Sequence, residues 1–287
     1  MSASTHDEFE FVGRSNQLEH LQQLASNARS GKGSICFVAG NAGAGKTSLI
    51  DRFLQEVAAS NAFSDYCLFA STCHESTGSQ NPGSAIYSLV RSQGIAGPVQ
   101  NTSFLSTVAP KIASDLLLAV PNIGQVLNAT LKTYKATKDW LENQQEGVSR
   151  YQSQQLAKEA ADWIFGNLQK ASFLIAVIDD AHWIDRTSAE VISTLGESLA
   201  EANVLMILTH RSIDAGESGE MSGLKRDLTA RKLCSSIEVG NLSLTEIQEY
   251  TSKRFNSVLH PLFAKWLEYV CLVHPMFLHQ YTDWLVK

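Results

Sequence analysis

Residues 40–47, Gly40-Asn41-Ala42-Gly43-Ala44-Gly45-Lys46-Thr47, could do chemistry by type and by spacing. The glycines let the backbone curl so that successive N–H groups converge on an anion without Cβ clashes. Lys46 follows where its ammonium can reach β and γ phosphates, and the Thr47 hydroxyl can join a Mg²⁺ shell. Ser48 continues into the first turn of a helix whose positive end faces the same anion. The bland alternative is a glycine-rich turn with a solvated lysine.

A second set lies far along the chain, in "LIAVIDDAHWID" at 174 to 185. A run of apolar residues ends on two acids. Asp179 is placed to hold the metal shell, and Asp180 stands one residue nearer to an attacking water. Two adjacent carboxylates at a strand end are costly unless a cation or hydrogen-bond donors compensate them. The alternative is that one of them caps the next helix.

The elements that must position these residues follow from periodicity. "GSICFVAG" (33 to 40) is a strand, and "KTSLIDRFLQEVAAS" (46 to 60) is a helix. "DYCLFAS" (65 to 71) is a second strand, followed by a loop rich in Ser, Gly, Asn and Pro and by a helix at about 84 to 92. From Thr102 to Lys170 the pattern is helical, broken near Pro110, Pro121 and Gly147, and predicts helices inserted between core strands at about 102 to 150. "SFLIAVIDD" (172 to 180), "NVLMILTHR" (203 to 211) and "SSIEVG" (235 to 240) complete five strands, with a helix at 188 to 200 between the first two.

Continuous apolar strands separated by helices predict an α/β fold with a parallel sheet covered on both faces. Ligands then bind at the carboxyl ends of the strands. After Gly240 only helices are expected, opened by a capping box of Ser243 and Glu246 and continued at about 261 to 272 and 276 to 286. The division is a core over 1–240 and a small helical subdomain over 241–287. The final helical pattern runs up to Lys287, which predicts a longer natural chain.

The net charge of −6, from 23 basic and 29 acidic side chains, argues against a chain whose main task is coating nucleic-acid phosphates. Cys36, Cys67, Cys73, Cys234 and Cys271 are odd in number and mostly set among apolar neighbours, which predicts buried thiols in a reducing, cytoplasmic setting. Cys73 and His74 lack the second pair that a metal site needs. The opening "MSASTHDEFEFVGR" is acidic where a secretory signal is basic, and no apolar run approaches the roughly 18 residues of a membrane span.

The phosphate loop and "DDAHWID" together resemble the AAA+-related ATPase modules of the STAND class of signalling NTPases, and those of origin-recognition-type ATPases. The resemblance implies a P-loop NTPase of the AAA+/ASCE type with a C-terminal helical lid, binding ATP or ADP with Mg²⁺. "FVGRSNQLEHL" (11 to 21) resembles the family's opening segment, whose backbone borders the adenine, so Val12, Gly13 and Arg14 are carried over; Ser15 replaces the usual Glu. "MILTHR" (206 to 211) is similar to the strand that ends in the γ-phosphate sensor, a role assigned to Arg211, whose planar fork suits phosphate. An ordinary surface arginine is the alternative there.

"GNLSLTEIQEY" (240 to 250) resembles the entry to the lid, with Ser243 in place of proline. "VHPMFLHQY" (273 to 281) resembles the segment whose proline packs on the base, which carries that contact to Pro275; Val273 stands at the usual glycine and His274 precedes the proline. Trp183 reads as packing, and His182 either as a structural histidine or as a group orienting water. Arg226 and Arg231 lie where ring-forming relatives carry an arginine finger, without a motif that claims either.

Three functions fit. The first is a slow ATP-hydrolysing switch that signals to regions beyond Lys287, with nucleotide-dependent self-association as an option. The second is a DNA-handling ATPase of initiator or loader type, and the third is a nucleotide-retaining scaffold without turnover. Adenine over guanine rests on the resemblance, since no N-K-x-D pattern of guanine readers is found. Asp180, a methylene shorter than the Glu of many fast ATPases, points to slow turnover.

Overall fold

The apolar runs of the four longest strands are buried at almost every position, whereas the outer strand Cys234–Glu238 buries only Ile237. β1 (Ser34–Ala39), β2 (Cys67–Thr72), the two-residue β3 (Ile95–Ala96), β4 (Leu174–Asp179), β5 (Val204–His210) and β6 (Cys234–Glu238) form one sheet in the order β3-β2-β4-β5-β1-β6. Five strands run parallel, as the sequence predicts, and β3 adds an antiparallel edge against β2 that was not expected. A two-residue strand has too few residues to show an alternating pattern. The structure is a computed structural model and describes residues 11–60, 65–74, 82–92, 95–96, 145–212, 219–257, 260–271 and 274–286, with backbone alone at 95–96, 145–152 and 286.

Helices cover both faces. α1 (Ser15–Arg29) and α2 (Lys46–Ala59) lie on one side, where Leu21, Ala25, Leu49, Ile50 and Phe53 pack on Cys36, Val38, Ile175, Val177 and Ile207. α3 (Ser84–Arg91), α4 (Gln145–Leu168), α5 (Arg186–Ala200) and α6 (Glu220–Ala230) supply the other side, where Ile86, Ala160, Ile192 and Leu224 pack on Ile35, Phe37, Phe69, Ala176 and Ile178. Neighbouring residues of one strand thus enter opposite cores, the period of two made visible.

Two local outcomes differ from expectation. α1 forms directly after Arg14, and α4 runs through Gly147 without a break. A single glycine costs a helix only about 1 kcal/mol, which the packing of the remaining turns offsets. The rest of the expected helical insertion, from about 102 to 144, lies outside the described residues.

α7 (Leu244–Arg254), α8 (Pro261–Val270) and α9 (Pro275–Val286) make the C-terminal helical layer. The Ser243–Glu246 capping box forms in full, with each side chain bonded to the other's backbone N–H. Ile247, Tyr250, Leu267, Cys271 and Leu278 build its own small core, which Val12 enters from the start of the chain. In-register pairing of Ala39 with His210, and of Thr72 with Asp179, lines up the carboxyl ends of four strands beside these helices. No described helix is long and apolar enough to cross a membrane.

Candidate functional site

The loop from β1 to α2 hangs on the sheet through the Gly40 N–H, which donates to the His210 carbonyl at 3.2 Å. It then turns with Ala44 N donating to Asn41 O at 3.1 Å. Gly43 sits at φ 73°, a left-handed conformation that residues with a Cβ adopt only at a cost. α2 starts from Gly45 with no side chain capping its first N–H groups, the arrangement that suits an anion. Thr47 and Ser48 are exposed on that first turn, while Leu49, Ile50 and Phe53 anchor the helix below.

Lys46 is buried, and its ammonium donates to the carbonyls of Gly40 at 2.8 Å and Asn41 at 3.1 Å. Burial lowers its pKa, Asp180 and Asp179 counter that effect, and the Arg211 charge adds to it. These four side chains therefore share one electrostatic site. Arg211 itself is exposed just past β5.

Thr209, to which the sequence assigns no role, ties the two acids together. Its hydroxyl donates to Asp179 Oδ1 and accepts the Asp180 N–H at 3.0 Å. The Asp179 carbonyl accepts from Cys73 N at 2.9 Å, which fixes the strand end on its other side. Burial raises the pKa of Asp179, the neighbouring Asp180 raises it further, and the Thr209 bond opposes both. Asp180 is held at φ 52°, off the strand path, and its charge acts on both Asp179 and Lys46. A cation beside this pair relieves both the desolvation and the like-charge cost.

Oxygen donors of this kind fit Mg²⁺. Among the described residues no three His, Cys, Asp or Glu side chains converge to cage a metal unaided. Magnesium does not need a cage, because it takes one or two carboxylates and completes its shell with phosphate oxygens and water. Asp179 and the Thr47 hydroxyl are the side chains that suit it.

His182 has its Nδ1 3.7 Å from Asp180 Oδ1, too long for a hydrogen bond, and neither ring nitrogen has a partner among the described residues. Burial lowers its pKa, which favours the neutral ring, and the Asp180 charge opposes that effect. Trp183 packs on the core beneath α5. Asp185, the last acid of "DDAHWID", is the helix cap: it accepts from Ser188 N at 2.9 Å and Ser188 Oγ at 2.6 Å, and reaches Gly83 N at 2.7 Å. Neither Asp179 nor Asp180 caps α5.

The start of the chain joins the loop to the helical layer. The Arg14 guanidinium donates to Gly240 O at 2.5 Å, Asn241 O at 3.5 Å and Ala44 O at 3.5 Å, while its backbone N–H donates to Glu246 Oε1 at 3.3 Å. Gly13, at φ 65°, passes so close to Glu246 that a Cβ would stand 1.9 Å from Oε1. Val12 is buried in the helical layer's core. Pro275 opens α9 between His274 and Met276, both of which press on Gly43 of the loop. The sequence carried no signal for His274, whose Nε2 lies 2.6 Å from Ala42 O. Arg231 is held on the far surface by Asp227 and Glu197, at 3.1 Å each.

A phosphate loop between the first strand and its helix, paired acids on a neighbouring parallel strand and a helical layer over the loop define a P-loop NTPase of the AAA+ type. The AAA ATPase domain family matches residues 10–207, and the chain belongs to that family. It is a nucleotide-binding AAA+ ATPase module. No curated protein matches it.

Similar solved structures include a RuvB variant of Thermotoga maritima, 10% identical over 96% of this chain and 62% of that one, TM-score 0.48. They also include Drosophila ORC bound to DNA (11%, 95% and 55%, 0.48) and Aeropyrum pernix ORC1 in complex with DNA (13%, 86% and 50%, 0.45). The chain spans between 50% and 62% of the lengths of these three proteins.

Proposed function

We propose that this chain is a Mg²⁺-dependent ATP switch: it binds ATP, hydrolyses it slowly, and passes the nucleotide state through its helical lid (241–287) to parts of a larger signalling protein. The observation that carries this reading is the meeting, at the carboxyl ends of the central strands, of Lys46, the Asp179–Asp180 pair and a helical layer seated on the phosphate loop.

The roles follow from chemistry. The loop from Gly40 to Gly45 and the first turn of α2, with Ser48, cradle the phosphates through the backbone N–H groups that are not already spent on His210 O and Asn41 O. Lys46 exchanges its two loop carbonyls for β and γ oxygens, and Arg211 grips the γ phosphate from the end of β5. Thr47 and Asp179 hold Mg²⁺, which neutralises charge on the β and γ phosphates when bound. Asp180, turned off the strand by its left-handed backbone, accepts the proton of the attacking water. Val12, Gly13, Arg14 and Pro275 border the adenine. Signalling and the choice of ATP rest on the resemblance to STAND modules. The free thiols suit a reducing cytoplasm.

The test is to identify nucleotide bound to purified protein by chromatography and follow its conversion, alongside mass measurements in ADP and in a nonhydrolysable ATP analogue. Slow conversion, lost in Asp180→Asn with binding retained, is expected. Lys46→Ala should weaken binding roughly ten- to a hundredfold, the worth of a charge-assisted bond. Unchanged binding in that variant removes the site. A fast steady-state rate, or salt-dependent duplex-DNA binding that stimulates hydrolysis, replaces the switch with a motor or a DNA-handling ATPase. Bound nucleotide that is never converted leaves a scaffold.

A further inference from the structure

We propose that His274 is a latch: the lid residue that grips the phosphate loop and slows nucleotide release, a positioning role that rests on the nucleotide-site reading above. His274 Nε2 stands 2.6 Å from the Ala42 carbonyl, 232 residues away in sequence. A carbonyl only accepts, so Nε2 carries the proton and donates. The opposite nitrogen, Nδ1, is buried with no partner among the described residues. One bond therefore orients this ring.

The mount of that bond is rigid. The His274 N–H donates to Cys271 O at 2.9 Å, and the His274 carbonyl accepts the Leu278 N–H at 3.0 Å, so the residue is built into the start of α9. Its ring lies against Phe277, with centroids 4.9 Å apart. On the loop side the approach is so close that a Cβ at Gly43 would stand 2.7 Å from His274 Cε1 and 2.9 Å from Met276 Cβ. The glycine that lets the loop turn also lets the lid touch it.

Three consecutive loop carbonyls are satisfied. Gly40 and Asn41 accept from Lys46, Asn41 also accepts the Ala44 N–H, and Ala42 accepts from His274. Phosphate draws Lys46 away from the first two. The bond to Ala42 comes from the lid and does not compete with phosphate for the lysine, so it persists with nucleotide in the loop and holds the lid down over it.

The experiment compares wild type, His274→Phe, which keeps a ring against Phe277 but has no donor, and His274→Gln, which restores an N–H. Two measurements are made: release of a fluorescent ADP analogue, and amide hydrogen exchange at residues 41–45 and 276–279 without nucleotide. The Phe variant should release the analogue roughly three- to tenfold faster, the range of one net hydrogen bond, and exchange faster in both segments. The Gln variant should return toward wild type in both. Wild-type release and exchange in the Phe variant overturn the latch, as does a Gln variant no better than Phe. If wild type binds no analogue the nucleotide reading falls, while exchange in the absence of nucleotide still decides the contact.

Discussion

His210 shows how a single residue carries pH dependence into the fold. It closes β5 fully buried, its Nδ1 donates to Arg211 O at 2.6 Å, and Nε2 has no partner among the described residues. Burial pushes its pKa from 6.5 down to about 4, with nearby Lys225 and Lys46 adding to the fall and the Arg211 carbonyl opposing it. The unfolded chain therefore binds a proton between pH 6.5 and about 4 that the folded chain refuses. Stability rises with pH through that window and is lost on acidification, by up to about 3 kcal/mol. Melting followed from pH 7 to 4 should fall less steeply in His210→Phe than in wild type. Equal slopes would show that His210 does not titrate as its burial requires. Because the His210 carbonyl also holds Gly40, acid should loosen the phosphate loop first.

At the scale of elements, "DDAHWID" divides its acids by geometry. Asp179 ends β4, Asp180 turns out of it, and Asp185 caps α5 while pinning the start of α3 through Gly83 N and Ser84 Oγ. Asp185→Ala should cost about 2–4 kcal/mol in urea unfolding, since it removes a cap and leaves buried donors unpaired. Nucleotide affinity measured below the transition should stay within about twofold of wild type. A loss under 1 kcal/mol would mean that water replaces the carboxylate. The central strands were legible because burial on both faces leaves continuous apolar runs, and α2 because Leu49, Ile50, Phe53, Leu54 and Val57 recur at helical spacing. α1 was not legible, because it starts from Arg14 without a capping side chain and buries only Leu18, Leu21, Ala25 and Ala28 in an otherwise polar stretch.

Across the whole molecule, the lid communicates with the loop at two places, the Arg14–Glu246 junction and His274. Gly13→Ala puts a Cβ into Glu246 and a side chain at φ 65°, so the lid must shift. Hydrogen exchange should quicken across α7 and α9 while α2 and α5 keep their protection. Uniform quickening would instead mean that lid and sheet unfold as one unit.

By itself the sequence determined the phosphate loop, the paired acids, the parallel sheet and the capped entry to the lid. Each of these depends on residue types at short, fixed spacing, where local backbone preference and burial leave few alternatives. Tertiary structure alone decided that Thr209 joins the two acids, that Arg14 spans from the loop to Gly240, and that His274 reaches Ala42. Those contacts cross from about 30 to more than 230 residues, and only the packing of β5, β6 and α9 around β1 brings their partners within hydrogen-bond reach.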